Sequence, residues 1–185
     1  MMAATVHIRP ARPSDAEAIA EVHIEAWRSA YPGLVPTVVL VRLSKRAQTR
    51  EWAQQIARRG YPAGVLVADL AGRGVIGFGS SGRARPTSLA WAAEIYTLYV
   101  LPEYQDCGIG RALLLGLFQG LADRGLTSAL VWVLKDNPAR FFYEAMGGRR
   151  VAERDEHLWN TIVPQAAYAW DDVRLLAERD RSDDV

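Results

Sequence analysis

The segment Gln105-Asp106-Cys107-Gly108-Ile109-Gly110-Arg111-Ala112-Leu113-Leu114 constrains this chain more than any other. It follows an apolar, strand-like run, Ile95-Tyr96-Thr97-Leu98-Tyr99-Val100, and a short connector containing Pro102. It then opens what reads as a helix. Two glycines at this point let successive backbone N–H groups face one concavity with no side chain in the way. The helix N-terminus adds partial positive charge there. Strand, glycine turn and helix in succession point to an α/β fold, and the concavity suits a pyrophosphate.

The loop taken alone leaves several readings open. A P-loop needs Lys-Ser/Thr after the second glycine, and none follows Gly110. A dinucleotide fingerprint needs a third small residue where Leu113 stands, in a turn directly after the strand. A turn that caps a helix and binds nothing also fits. So does the pattern Gln/Arg-x-x-Gly-x-Gly/Ala, met by Gln105, Gly108 and Gly110.

A second segment decides among them. Asp136-Asn137-Pro138-Ala139-Arg140-Phe141-Phe142-Tyr143-Glu144-Ala145-Met146-Gly147-Gly148 follows the strand-like Leu130–Leu134. Proline sits just inside a helix start and glycine just past its end. One helix and one strand separate it from the glycine loop. The two segments together resemble the acetyl-CoA loop and the Asn-x-x-Ala/Ser-x-x-Phe-Tyr-x-x-x-Gly-Phe segment of the GNAT family of N-acetyltransferases. The resemblance is close from about Val65 to Gly148 and looser outside it. It departs at Gly148, often aromatic in the family, and at Asp106 and Cys107, where Gly, Arg or Lys is usual.

The resemblance implies a fold and a function. The fold is α/β, a mixed and mostly antiparallel central sheet flanked by helices, with the strands after Ala92 and Thr127 splayed so that a pantetheine arm enters like an extra strand. The implied activity is transfer of the acetyl group of acetyl-CoA to a primary amine by direct attack. Cofactor contacts fall on Leu98, Tyr99, Val100, Gln105, Asp106, Cys107, Gly108, Ile109, Gly110, Arg111, Asn137 and Tyr143. Asn137 also suits a helix cap. Tyr143 is the implied acid for the departing thiolate; otherwise it is a helix residue with its hydroxyl at the rim of the core. Glu94, in Ala93-Glu94-Ile95, is the implied base acting through water, since an ammonium cannot attack a thioester; otherwise it is a solvated strand-end glutamate. Trp27 and Tyr31 would line the acceptor pocket, bordered by a loop with His157, Trp159 and Asn160. A non-catalytic acyl-CoA-binding module is the alternative, motivated by Asp106 and by the two readings of Glu94. A nucleotide-binding regulator is a third.

Composition narrows the classes further. At 185 residues, half of them apolar, the chain is long enough for one domain with a sizeable core. We read 1–176 as that domain and 177–185 as a tail with little to bury. The net charge is +1, without a Lys/Arg block, which argues against nucleic acid and membrane surfaces. No apolar run is long enough to span a bilayer. A single cysteine, Cys107, excludes an internal disulfide and fits a reducing, cytoplasmic setting. No histidine pairs with a second metal ligand, so no metal is expected. The acceptor class stays open between a small amine and a protein N-terminus, and a homodimer through the C-terminal strands follows by family analogy.

Patterning supplies the elements. Val6–Arg9 reads as a strand, and Arg12-Pro13-Ser14-Asp15 as a helix start followed by a stripe of Ile19, Val22, His23, Ala26 and Trp27. One helical region runs from Pro36 to Gly60. Gly64–Leu70 and Val75–Gly79 form a hairpin. The strand from Ala92, the glycine-loop helix to Arg124, the strand Thr127–Leu134 and the helix Asn137–Met146 follow. Gly148–Glu153 and Ala166–Val173 are the last strands, with a loop between.

Overall fold

The computed structural model describes residues 5–58, 64–86 and 89–176. In chain order the elements are β1 (Val6–Pro10), α1 (Ala16–Ala30), α2 (Thr37–Val41), α3 (Lys45–Ala57), β2 (Gly64–Leu70), β3 (Gly74–Arg83), β4 (Ala93–Val100), α4 (Ile109–Ala122), β5 (Ala129–Leu134), α5 (Ala139–Ala145), β6 (Arg149–Leu158) and β7 (Thr161–Trp170). The strands form one seven-stranded sheet in the order β1-β2-β3-β4-β5-β7-β6. Every neighbouring pair is antiparallel except β4 and β5. This is the mixed, mostly antiparallel sheet expected.

β3 shows how the helices divide between the two faces. Side chains alternate along a strand, and here Gly77 and Gly79 face one side while Phe78 faces the other. A Cβ at Gly79 would lie 2.8 Å from Leu117, and one at Gly77 would lie 3.3 Å from Leu113, so α4 packs directly on bare backbone. On the opposite face Phe78 meets the Trp52 ring of α3 at 4.9 Å between centroids and the His23 ring of α1 at 6.2 Å. Ile19, Ala20 and Val22 are buried on α1, as the helical stripe requires. The start of α1 is set by Asp15, whose carboxylate accepts the Arg12 N–H at 2.7 Å and pairs with Arg9 at 2.8 Å.

Three elements differ from the sequence reading. The helical region after Pro36 is two helices, and Ser44 caps the second by accepting the Ala47 N–H at 3.3 Å. The Arg59-Gly60 terminus lies outside the described residues, as does the segment 177–185. β6 and β7 are long partners in a hairpin whose turn is Trp159-Asn160, at φ 51° and 60°. The loop expected between Glu153 and Ala166 is therefore strand, and its charged residues and Pro164 hid the alternation. Asn tolerates left-handed backbone, which is what a two-residue hairpin turn asks of it.

Candidate active site

β4 and β5 pair only at Ala93↔Ala129, Glu94↔Leu130 and Ile95↔Val131. On the other side of β4 the register steps from Ser81↔Ile95 to Ser80↔Thr97, which leaves Tyr96 as an extra residue. A bulge bends the strand that carries it. The remainder of β4 thus turns away from β5, and a cleft of about 320 Å³ opens between them.

Leu98, Tyr99 and Val100 line one wall of this cleft, and Val133 and Leu134 the other. Gln105, Asn137 and Tyr143 stand where the strands are furthest apart, and Arg85 near the closed end where they still pair. Trp27 and Tyr31 of α1 and Trp159 of the hairpin turn complete the enclosure. Of the residues the sequence singled out, Trp27, Tyr31, Leu98, Tyr99, Val100, Gln105, Asn137 and Tyr143 line the cleft, and Glu94 and residues 106–111 do not. His157 and Asn160 are not on the lining: His157 pairs with Ile162 in the hairpin, and Asn160 holds the turn. Arg85, Trp132 and Gln165 line the cleft with no motif to announce them.

The glycine loop lies at the mouth. Residues 105 and 106 form a turn ahead of α4, and the Ala112 N–H turns back to the Gly108 carbonyl at 3.0 Å. Gly108 has φ +79° and precedes the first residue of α4, and a Cβ placed on it would meet nothing within 4 Å. The concavity is open. Gln105 anchors it, donating from Nε2 to the Val100 carbonyl at 3.1 Å. Ile109 is buried, so only its backbone can face a ligand. Asp106 has φ 58°, a conformation glycine adopts freely and aspartate tolerates better than most residues. That accounts for the departure from the family's usual glycine. Cys107 is exposed, with a free thiol.

Asn137 accepts the Ala139 N–H on Oδ1 at 2.9 Å and so caps α5. Tyr143 is 5% exposed and lines the cleft, and its hydroxyl makes no hydrogen bond to a described residue. Burial, then the neighbouring Tyr31, pushes its phenol well above the ordinary tyrosine range. Burial raises Tyr31 and Tyr99 likewise, and their hydroxyls lie 3.5 Å apart. The indole N–H of Trp27 is buried without a hydrogen-bond partner, although it lies close enough to the Tyr99 hydroxyl to ease that group's ionisation slightly. Trp27 also packs against Tyr31 at 4.8 Å with the rings tilted by 55°, and meets Trp159 edge-on at 5.9 Å between centroids.

Glu94 is 2% exposed and is not part of the cleft wall. Its carboxylate is held by Arg85 through the backbone N–H at 3.1 Å, through Nε at 3.1 and 3.2 Å, and through Nη2. The solvated strand-end reading is overturned: the strand begins in the core, beside Leu130, and the carboxylate enters it already paired.

Gly148 also has a structural reason. A Cβ there would lie 2.8 Å from the Tyr143 carbonyl and 2.9 Å from Cζ2 of Trp170. The Trp170 indole, delivered by β7, occupies the space beside this position, so no side chain fits at 148.

A gap between two parallel strands, next to a glycine turn at a helix start, suits an extended, phosphate-bearing ligand. Residues 19–148 match the acetyltransferase (GNAT) family. The uncharacterized N-acetyltransferase YuaI of Bacillus subtilis is 32% identical over 171 residues, 92% of this chain and 96% of that protein. Spermidine N(1)-acetyltransferase of Thermoplasma acidophilum is 25% identical over 153 residues, 82% of this chain and 92% of that one. Among solved structures, yncA of Salmonella typhimurium with its cofactor acetyl-CoA superimposes with a TM-score of 0.68 at 20% identity, covering 89% of this chain and 92% of that one. The chain belongs to the GNAT family of acetyl-CoA-dependent acyltransferases. Among the described residues no group of His, Cys, Asp and Glu could hold a metal ion, and no helix is long and apolar enough to cross a membrane.

Proposed function

We propose that the chain acetylates a primary amine, holding acetyl-CoA between β4 and β5 with the pyrophosphate at the loop from Gln105 to Arg111. The observation that carries this reading is the continuity of the two features. The gap left by the Tyr96 bulge reaches Gln105, the residue that opens the glycine loop leading into α4. The residues fit the cofactor: Gly108 leaves the cradle empty of side chains, and Leu98, Tyr99 and Val100 offer strand backbone along the gap. Acetyl-CoA, when bound, supplies an activated thioester.

The chain's own groups supply orientation and proton management. Tyr143 carries its proton at neutral pH as any tyrosine does, burial raises its pKa further, and in this proposal Oη holds that proton toward the departing sulfur. Trp27, Tyr31 and Trp159 exclude water from the acceptor side. Glu94 serves as base only after Arg85 has moved to another anion, because the guanidinium now fills its oxygens. Residues 1–176 act as one domain in this reading, supported by the single sheet from β1 to β7. A cytoplasmic setting fits the free Cys107 thiol. Any homodimer contact belongs on β6, the outer strand of the sheet, and light scattering reports it.

Thiol release from acetyl-CoA across an amine panel tests the activity, with Gly108→Val as the binding-defective control. Release in the wild type with loss of binding in Gly108→Val supports it. Tight acetyl-CoA binding with no release for any amine would make the chain an acyl-CoA-binding module, the reading that the enclosure of Glu94 by Arg85 favours.

A further inference from the structure

The walls of the cleft say what they cannot pair with. Among the described lining residues, Arg85 is the one charged side chain, and no carboxylate faces the space. A polyamine would bring several ammonium groups to a cleft whose rings and amides can contact them but whose described lining holds no carboxylate to neutralise them. An anion would find a cation already placed. The Arg85 side chain is 62% exposed, yet Glu94 grips Nε and Nη2 and leaves Nη1 outside the pair. A guanidinium held in this way loses little freedom when it binds a second carboxylate. Glu156 on β6 also attracts Arg85, but it is bridged to Arg154 at 3.1 Å. The Tyr96 ring lies 5.8 Å from this cation, and Trp27, Tyr31 and Trp159, the last 41% exposed, line the same cleft. Those rings suit an apolar or aromatic body.

We propose that the acceptor is a small amine carrying a carboxylate on an apolar body, an amino acid in its free form, and that Arg85 receives the carboxylate. This rests on the acetyltransferase reading above and narrows its acceptor. Arg85 becomes the residue that sets acceptor specificity. Glu94 positions it, and it gains freedom to take the amine's proton as the acceptor's carboxylate shares the guanidinium. In the reaction the amine nitrogen bonds to the acetyl carbon, the carbon–sulfur bond breaks, one amine proton leaves and the thiolate regains one.

The test measures thiol release with each protein amino acid against its own amide, and with spermidine. The amide keeps the amine and the body and removes only the anion. Its amine is the weaker base, so the comparison is biased against the expected result. At least one free amino acid should exceed its amide in kcat/KM by about 10–100-fold, the worth of a charge-assisted pair. Arg85→Gln should bring that ratio toward one, and Arg85→Lys should retain part of it. Should Arg85→Gln fail to fold with Glu94 left unpaired, the wild-type comparison decides by itself. Amides or spermidine used as well as, or better than, the free acids would overturn the acceptor class and leave the acetyltransferase standing. An acid preference that persists in folded Arg85→Gln would overturn the role of Arg85. Bound acetyl-CoA with no release for any amine would overturn both readings.

Discussion

Gly148→Ala is a one-methyl perturbation whose cost follows from contacts. The new Cβ would sit 2.8 Å from the Tyr143 carbonyl oxygen and 2.9 and 3.2 Å from Cζ2 and Cε2 of Trp170. Neither neighbour yields cheaply. The carbonyl is backbone and already accepts the Gly148 N–H at 2.8 Å. The Trp170 ring is buried, packs on Phe118 at 5.0 Å between centroids, and donates from Nε1 to the Met146 carbonyl at 2.8 Å. Overpacking of this kind costs about 1–3 kcal/mol, and two held neighbours place it in the upper half. The smaller backbone entropy of an unfolded alanine returns roughly 0.5 kcal/mol, leaving a net loss near 2 kcal/mol. For a chain of this size that is a fall in Tm of about 4–8 °C. Thermal unfolding by calorimetry reads it directly. Trp170→Phe removes the ring atoms that the methyl strikes, so the double variant should lose less than the two single losses added, by at least about 0.5 kcal/mol. A Tm for Gly148→Ala within about 1 °C of the wild type would refute the account, and Gly148 would then need another explanation.

Tyr143→Phe should fold normally and bind acetyl-CoA as the wild type does, while kcat falls by about tenfold or more, since the lost proton donor acts on charge that develops late; equal kcat in single-turnover assays would remove Tyr143 from the chemistry. Asp106→Gly should tighten acetyl-CoA binding most at low salt, because it removes a negative charge beside the pyrophosphate loop and relaxes a backbone at φ 58°; calorimetry at two salt concentrations checks it. His23 is drawn down to about 4 by burial, from 6.5, and its Nδ1 accepts the Trp52 indole N–H at 3.2 Å. The neutral ring is the one that fits, so its contribution is complete above pH 6.5 and is lost as pH falls through 4, up to about 3 kcal/mol. The unfolding free energy from denaturant melts should fall more between pH 7 and pH 4 in the wild type than in His23→Gln.

What the sequence disclosed and what it withheld divide by the range of the interactions involved. The glycine loop and the Asn137–Tyr143 segment were legible because each works through contiguous backbone: φ +79° at Gly108, the Asn137 cap, and a helix starting at a fixed offset. Trp27 and Tyr31 were legible as a spacing, and the structure puts both on the cleft. The features that give the site its shape arise between segments far apart in the chain. The bulge at Tyr96 is a relation between β4 and β3, and Tyr96 itself carries no mark of being the unpaired residue. Arg85 reaches the cleft because Glu94, across a connector, binds it. That same ion pair accompanies the burial of Glu94, which rules out the solvated strand-end reading.

The two departures from the family pattern make the division concrete. Asp106 reads in sequence as a charge placed badly for phosphate. In the structure it also satisfies a local demand for left-handed backbone, so charge and conformation pull in opposite directions at one position. Gly148 reads as a missing aromatic. In the structure β7 supplies that aromatic as Trp170, and the glycine is the residue that leaves room for it. Trp170 packs on the same side of α5 as Tyr143, at 6.2 Å between ring centroids. The substitution of one buttress for another is thus made directly behind the proposed proton donor. A family pattern read position by position reports a loss at 148, whereas the packing puts an aromatic ring beside Tyr143 from β7, the strand paired with β5.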